Sequence, residues 1–141
     1  EWTMPHAMLI PLTFLAATVG APAIAQPTSI AGNWRTEDGN AVVRIAPCGN
    51  TMCGRIVRLL TPQPPEGAQD VNNPEPSRRS RGLLGLRVFW ALAPTGERYE
   101  GEGYSPARGR YFDAQVWRDG DRLRVKGCVK FVCQTQTLTP G

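Results

Sequence analysis

Apolar and polar residues alternate with a period of two along most of the chain after residue 31. The alternation is clearest in residues 110–118, where Phe112, Ala114 and Val116 are separated by polar or larger aromatic neighbours, and it returns in residues 122–129. A period of two places every second side chain on the same face of a β-strand. Turn-forming residues separate these runs at intervals of roughly 8–12 positions, which is typical of short strands joined by hairpins.

The pattern predicts about eight strands, at residues 32–36, 41–45, 55–60, 83–92, 97–104, 110–118, 122–129 and 132–139. Strands that follow one another through short turns usually pair with their neighbours in the chain. We therefore expect an all-β fold, a small eight-stranded antiparallel up-and-down barrel. In the longest run, Trp90 continues an apolar line with Leu84, Leu86, Val88 and Leu92, and this line is predicted to face the interior.

Residues 1–25 do not follow the strand pattern. An apolar stretch from Met8 to Val19 precedes Ala23–Ala25, which fits the cleavage pattern of a secretory signal peptide. The stretch is shorter than the roughly 20 apolar residues that span a bilayer. We expect residues 1–25 to be a removed signal peptide and residues 26–141 to be a periplasmic or secreted domain without a membrane span.

The charge balance is basic, with 16 Lys and Arg against 12 Asp and Glu and a net charge of +4 at pH 7. Many cations alternate with apolar residues, as in residues 122–126, which is the pattern of a solvated sheet face. Because no basic surface with interleaved aromatic residues stands out, we expect no binding to nucleic acid. The single histidine, His6, lies in the predicted signal peptide, so the exported domain has none for catalysis or metal binding.

The four cysteines form two pairs with the same spacing, Cys48 with Cys53 and Cys128 with Cys133. Across a hairpin, facing residues have Cα atoms about 4.5–5.5 Å apart, within the range that a disulfide accepts. An exported protein meets an oxidising compartment, so we predict the disulfides Cys48–Cys53 and Cys128–Cys133. Two other connectivities, and a zinc site built from all four thiolates, remain as alternatives.

A long, proline-rich connection, Thr61–Gly82, interrupts the regular spacing of the strands. Loops of this length in compact domains commonly have a functional role or are disordered. Its polar residues and the aromatic residues of later strands are our candidate ligand-binding residues: Asp70, Asn73, Arg78, Arg81, Tyr104, Tyr111 and Trp117. We predict no catalytic residue, no metal site and no cofactor.

Each candidate has a structural interpretation beside the functional one. Asp70, Asn72 and Asn73 can bind a ligand or a divalent cation through their oxygen atoms, or they can form an Asx-type turn. The arginines can bind a carboxylate or phosphate, or they can lie in solvent with one weak ion pair to Asp70 or Glu75. The aromatic candidates can stack on a ligand at the barrel mouth or belong to the core.

A set of short motifs occurs in a fixed order along residues 26–141. The motifs are Gly32-Asn-Trp34, Pro47-Cys-Gly49 with Cys53-Gly54, Asp70-Val-Asn-Asn-Pro74, Arg81 with Leu84-Gly-Leu86, Tyr104-Ser-Pro106 with Gly109 and Tyr111, and Gly127-Cys128 with Cys133 and Thr135-Gln-Thr137. The set resembles a bacterial family of exported proteins catalogued as a domain of unknown function. The resemblance implies a lipocalin-like barrel with a cavity for a small apolar ligand, because the Gly32-x-Trp34 motif is similar to the lipocalin signature of the first strand.

The resemblance also implies a structural role for Gly32 and Trp34. In lipocalins this tryptophan packs across the closed end of the barrel, often against an arginine near the last strand. The family usually ends in Thr-Gln-Thr-Trp-x-Arg, whereas this chain has Thr135-Gln-Thr-Leu-Thr-Pro-Gly141 and lacks both the aromatic residue and the arginine. This departure leaves open which residue packs against Trp34.

Three functions are consistent with these observations. The leading hypothesis is a non-enzymatic exported binding module that takes a small apolar or amphipathic ligand in the barrel mouth, gated by Thr61–Gly82. The second is a cell-envelope interaction protein that uses its arginine-rich outer face. The third is an enzyme without histidine that uses Asp or Glu with Tyr, which needs Asp70, Asp113 or a glutamate beside an arginine in one cleft. The sequence makes no prediction of the oligomeric state.

Overall fold

Eight antiparallel strands form a closed barrel in the computed structural model, which describes residues 2–3, 10–22 and 26–141. The strands are β1 Gly32–Arg35, β2 Ala41–Cys48, β3 Thr51–Leu59, β4 Arg87–Thr95, β5 Arg98–Ser105, β6 Arg110–Asp119, β7 Arg122–Val129 and β8 Val132–Pro140. Each strand pairs with the next along the chain, and β1 also pairs with β8, with Trp34 opposite Pro140, which closes the barrel. The predicted eight-stranded up-and-down barrel is confirmed.

Residues 10–22 lie outside the barrel core. They form no helix or strand, and large apolar side chains such as Phe14 and Leu15 are almost fully exposed. The predicted cleavage site, Ala23–Ala25, lies outside the described residues, so the signal peptide stays a prediction. Among the described residues, no helix has the length and apolar character needed to cross a membrane.

The connection between β3 and β4 is longer than the sequence pattern predicted. β4 begins at Arg87, so Leu83–Leu86 belong to the connection and not to the strand. The preceding strand, β3, is also longer than predicted. It begins at Thr51 and not at residue 55, because the β2–β3 hairpin pairs up to Cys48 opposite Thr51. The resulting long loop, residues 60–86, contains one short 3-10 helix, Pro76–Arg78.

The prediction that Trp90 faces the interior is wrong. Val88, Phe89 and Leu92 are buried in the core, whereas the indole nitrogen of Trp90 donates to Glu102 on the exposed outer face. Phe89 faces the interior, so Trp90 faces outward, and a bulge at Ala91, which has φ 54°, then returns Leu92 to the interior. An extra residue in one strand moves the following side chains to the opposite face.

Leu84, predicted to lie on the same inner line as Trp90, is 64% exposed. It belongs to the long loop and not to β4, so the strand alternation does not apply to it. Val88 and Leu92, from the same predicted line, do belong to the buried core.

Two phenylalanines and three glycines occupy one layer of the barrel interior. Gly54, Phe89, Gly103 and Phe112 are paired in turn on β3 to β6, and the ring of Phe112 lies over Gly127 on β7, so each ring is flanked by strands with glycine beside it. The two rings meet edge to face, with centroids 6.2 Å apart. A Cβ atom at Gly103 would lie 2.4 Å from the ring of Phe112. The glycines therefore provide the space that the rings fill.

Trp34 is packed without the arginine that the resemblance associates with the last strand. The indole is 3% exposed, and its Nε1 donates to the carbonyl of Ile30 at 2.9 Å. Arg118, at the end of β6, places its guanidinium carbon 5.1 Å from the ring centroid. Leu138, which stands where the family has an aromatic residue, is buried in the core. A cation from another strand thus covers the signature tryptophan.

Both predicted disulfides are confirmed. Cys48–Cys53 joins β2 to β3 and Cys128–Cys133 joins β7 to β8, with Cα atoms 5.8 and 4.1 Å apart. Together they use all four cysteines, which leaves no free thiolate for the alternative zinc site. Because the two hairpins follow an even-numbered and an odd-numbered strand, the disulfides lie at opposite ends of the barrel.

We expect Gly103→Ala to lower the free energy of unfolding by about 1–3 kcal/mol, because the added methyl group meets the ring of Phe112 in a packed core. Gly82→Ala is the matched control, since a Cβ atom there has nothing within 4 Å. Urea denaturation of both variants measures the difference. Combining Gly103→Ala with Phe112→Leu should restore part of the loss. Equal losses in the two single variants would contradict the steric explanation.

Candidate functional site

The turns that follow the odd-numbered strands gather at one end of the barrel, as up-and-down connectivity requires. We call this end the mouth; it consists of residues 36–40, the long loop, residues 105–110 and residues 129–132. A cavity of about 880 Å³ extends from the mouth into the barrel. This volume is within the range of roughly 300–1,000 Å³ that is usual for small-molecule sites.

The deep wall of the cavity is apolar. Its side chains come from β2, β3 and β4 on one side and from β6, β7 and β8 on the other. They are Val43, Ile56, Val88, Phe89, Phe112, Val125 and Leu138. All of them belong to the hydrophobic core or pack against it. An apolar group placed against this wall would gain about 25 cal/mol for each Å² removed from water.

One side of the cavity is polar. Gln134 and Gln136 line the cavity two residues apart on β8, in line with the buried Leu138. Arg108, in the β5–β6 turn, also lines the cavity and donates a hydrogen bond to Oε1 of Gln134. None of these three residues is among the candidates predicted from the sequence. The period of two along β8, counted from Leu138, identifies both glutamines, whereas a turn residue such as Arg108 has no comparable signal.

The long loop forms part of the cavity wall. The residues that it contributes are Thr61, Gln63, Ala68, Gln69, Val71, Asn72 and Leu83. The loop is also ordered by its own backbone. Gln69 pairs with Gly82 in an antiparallel bridge, and the amide of Leu83 donates to the carbonyl of Ala68 at 2.9 Å. It is therefore a folded cover that extends from the barrel wall across part of the mouth.

A buried polar cluster forms where the long loop meets β5. Tyr104 donates from its hydroxyl to Oδ1 of Asp70 at 2.6 Å. Arg81 Nε and Asn73 Nδ2 donate to Oδ2 of the same carboxylate at 2.9 and 2.8 Å. Asp70 and Asn73 are 1% and 0% exposed. We call these four residues the latch, since they join the loop to the barrel.

The hydrogen bonds of the latch satisfy a charge that would otherwise be costly to bury. A carboxylate withdrawn from water destabilises the fold by several kcal/mol unless it is paired and fully hydrogen-bonded. Asp70 has one cationic donor and two neutral ones, and its side chain has no exposed surface. In the part of the chain that the structure describes, no buried side-chain nitrogen or oxygen lacks a partner. The loop can therefore stay docked only while these donors are in place.

The latch shifts two pKa values. Burial raises the pKa of Tyr104 to about 12, and the hydrogen bond and charge of Asp70 act in the same direction. Burial acts to lower the pKa of Arg81, but the hydrogen bond and the charge of Asp70 outweigh it and raise that pKa. Both side chains therefore keep the proton that they donate to Asp70.

A second contact fixes the loop to the β5–β6 turn. The Asn72 side chain donates to the carbonyls of Pro106 and Ala107 at 3.3 and 3.2 Å. Gly109, in the same turn, has φ +60°, and a Cβ atom there would lie 1.8 Å from the carbonyl oxygen of Asn72. The backbones approach so closely that only glycine fits.

The three remaining candidates, Arg78, Tyr111 and Trp117, lie on the outer surface. Arg78 donates to the hydroxyl of Tyr111 at 3.2 Å and forms an exposed ion pair with Glu75 at 2.7 Å. Trp117 packs under the guanidinium of Arg98, whose central carbon lies 3.8 Å from the ring centroid. Exposed ion pairs of this kind contribute little to stability.

The structure brings four of the seven candidates, the latch residues, into one cluster. Of the seven, Tyr104 contributes to the cavity wall, and the other six are not among the described residues that line it. The structural interpretations also hold in part. The Oδ1 atom of Asn73 accepts from the amide of Glu75 in an Asx-type turn, and Arg81 pairs with Asp70 as the sequence suggested. Direct ligand binding by these residues stays a prediction.

The geometry around Asp70 and Asn73 does not suit a divalent cation. The oxygens of Asp70 face the donors of the latch, and the side-chain amide of Asn73 points its nitrogen at that carboxylate. Among the residues described, no group of three or more His, Cys, Asp or Glu is placed to hold a metal ion.

Comparisons with known proteins agree with this architecture. Residues 32–139 match the model of a family described as "Uncharacterized protein conserved in bacteria (DUF2147)". No curated protein matches the chain. Among solved structures, the chain is similar to protein HP1028 from the human pathogen Helicobacter pylori, which is described as belonging to the lipocalin family. The TM-score is 0.70 over 80% of this chain and 83% of that chain, at 16% sequence identity, which shows a shared fold.

We expect Gly109→Ala to release the long loop from the β5–β6 turn, because the new methyl group would overlap the carbonyl oxygen of Asn72. Gly120→Ala is the matched control, since Gly120 has nearly the same φ, +62°, with nothing within 4 Å. The backbone cost of about 1–2 kcal/mol is common to both variants. Gly109→Ala should lower the free energy of unfolding by about 1–3 kcal/mol more than the control does. It should also speed hydrogen exchange at the amides of Asp70 and Leu83. Identical exchange in the two variants would show that the loop does not depend on this contact.

We expect Tyr104, one of the three tyrosines, to lose its hydroxyl proton at a higher pH than an ordinary tyrosine does in the folded protein. Because the folded pKa of Tyr104 is about 12 against 10 in the unfolded chain, the unfolded state loses its proton first as the pH rises. The free energy of unfolding should therefore fall between pH 10 and 12, by about 3 kcal/mol in total. Near-ultraviolet titration of tyrosinate measures the late ionisation. It should vanish in Tyr104→Phe and persist in Tyr111→Phe, and the opposite result would exclude Tyr104 as its source.

Proposed function

The chain belongs to the bacterial family DUF2147, and we propose that it is an exported, non-enzymatic binding module that holds a small, partly apolar ligand in the mouth of the barrel. The observation that carries the proposal is the cavity of about 880 Å³ with its apolar deep wall and one polar side. Small-molecule sites combine apolar walls with a few polar groups that orient the ligand. The fold shared with a protein described as a lipocalin supports the proposal at the level of architecture alone.

The long loop gates the cavity in this proposal. Several of its residues line the cavity, so a ligand contacts the loop on entry. The latch residues hold the loop in place, and their polar atoms are already bonded to one another. Ligand selectivity therefore comes from the polar residues inside the cavity, while the latch sets how readily the loop opens.

The latch also bears on the alternative of an enzyme without histidine. That hypothesis needs an acid beside an arginine and a tyrosine, and Asp70, Arg81 and Tyr104 do converge. The carboxylate, however, is fully buried and faces donors on both oxygens, so a substrate has no route to it while the loop is docked. This favours a structural role for the cluster and a binding function for the protein.

The two disulfides support the proposed export. Two disulfide bonds in a small domain are typical of proteins outside the reducing cytoplasm. Together with the signal-like residues 1–25, they support export to the periplasm or the medium. The second alternative, a protein that interacts through its basic outer face, would be favoured by a filled interior, and this interior is not filled.

A cavity-blocking variant tests the proposal. Nile red, a neutral apolar dye, should bind the unmodified protein with an increase in fluorescence. Gln136→Trp should lower its affinity at least about tenfold, because the indole takes up cavity space beside the apolar wall. Thr135→Trp is the control, since Thr135 is the next residue on the same strand, is equally solvent-exposed and is not part of the cavity wall.

Circular dichroism and urea midpoints would establish that both variants fold. Failure of the dye to bind the unmodified protein, or equal affinity in all three proteins, would refute binding in the cavity.

A further inference from the structure

The polar side of the cavity presents hydrogen-bond donors. The guanidinium of Arg108 makes one hydrogen bond within the described part of the chain, to Oε1 of Gln134. A guanidinium has donors and no acceptor, so its other N–H groups are available at the mouth. The same bond uses one of the two acceptor positions of Gln134 Oε1, and the Nε2 group of that side chain remains free to donate to a ligand. The two side chains together therefore favour a group that only accepts.

Two acidic residues, Glu37 and Asp38, also line the cavity, and hydrogen bonds from the β1–β2 turn and β8, not ion pairs with arginine, hold them in place. Glu37 accepts a hydrogen bond from the amide of Thr137 at 2.6 Å. Asp38 accepts from the hydroxyl of Thr36 at 2.6 Å and from the amide of Asn40 at 3.0 Å.

In the described part of the chain, the arginines that line the cavity are not held in ion pairs. Neither of the two ion pairs found among the described residues involves Arg108 or Arg110, although both arginines line the cavity. The positive charge at the mouth therefore lacks a bonded counter-charge.

The apolar wall begins directly below these donors. Along β8 the cavity-lining residues pass from Gln134 through Gln136 to Leu138, a distance of roughly 13 Å at the usual rise of a strand. Phe89 lines the cavity from β4, the strand opposite β8 in the barrel, and the ring of Phe112 lies beside Gly127, the register partner of Gln134. The cavity thus changes from donor-rich to apolar along its depth, which matches a molecule with a polar head and an extended apolar chain.

We propose that the cavity takes a single-chain amphiphile with an anionic head, whose oxygens accept hydrogen bonds from Arg108 and Gln134 while its chain extends toward Phe89 and Phe112. Carboxylate, sulfate and phosphate heads share this acceptor chemistry, and arginine binds such groups through short, charge-assisted bonds. The inference rests on the proposed binding function and adds the class of ligand and the residue that selects it.

Three probes with the same chain and different head charges test the inference: decanoate, decanol and decyltrimethylammonium. Each competes with Nile red below its micelle concentration and at low salt. Decanoate should bind tightest and decyltrimethylammonium weakest. Arg108→Gln should lower the affinity for decanoate by roughly 10- to 100-fold, the effect of losing a charge-assisted bond, and should leave decanol within about threefold.

Arg122→Gln is the matched control. It removes the same charge from the hairpin at the opposite end of the barrel, outside the cavity lining, and should leave all three affinities unchanged. Retained binding of decanol would show that Arg108→Gln keeps the cavity intact. The comparison of the three probes on the unmodified protein decides the head-group preference even if that variant does not fold.

The outcomes separate this inference from the function on which it rests. If neither Nile red nor any probe binds, the binding function itself fails. If decanol binds as tightly as decanoate, or if the two arginine variants behave alike, the binding function stands and the anionic head is excluded. Tightest binding of decyltrimethylammonium would assign the head contact to Glu37 and Asp38 and would overturn the role of Arg108.

Discussion

The buried carboxylate of Asp70 is the interaction on which the mouth of this barrel depends. A charge without exposed surface is tolerated only because Tyr104, Asn73 and Arg81 donate to it. Two of these donors come from the long loop and one from β5, so the same bonds that satisfy the charge fix the loop against the barrel. A proline-rich segment that would otherwise lie in solvent becomes part of a cavity wall. The energetic penalty of an unpaired buried charge is what makes the docking specific.

The two ends of the barrel are built on different principles. At one end Trp34 is buried beneath Arg118 and bonded to Ile30, so the interior is filled and closed. Toward the other end the glycines of the phenylalanine layer leave room for two rings, and the cavity extends beside these rings from the long loop into the barrel. Closing the sheet on itself removes its edges, so stability does not require the mouth to be packed. That freedom allows a cavity to exist in a small domain.

Docking of the loop and the proposed contact with a ligand fall to different residues. The latch uses its polar groups internally, whereas Arg108 and Gln134 line the cavity and keep donors that the barrel does not use. The arginines that the sequence makes most conspicuous, in the long loop, therefore serve structure. Arg108, in an ordinary hairpin turn, lines the cavity instead. A selective contact can change at such a turn without loss of the buried cluster, because the two sets of residues share no hydrogen bond.

The sequence by itself determined the features that depend on near neighbours. Alternation with a period of two specified the strands, and Cys48–Cys53 and Cys128–Cys133 followed from spacing within single hairpins. Only the tertiary structure decided the rest. The inward position of Phe89 left Trp90 on the outer face, and barrel closure brought Asp70 to Tyr104 and Arg108 to Gln134 across 34 and 26 positions of chain. Local periodicity shows which face a residue occupies. Which distant residue it meets depends on register and curvature accumulated over the whole sheet.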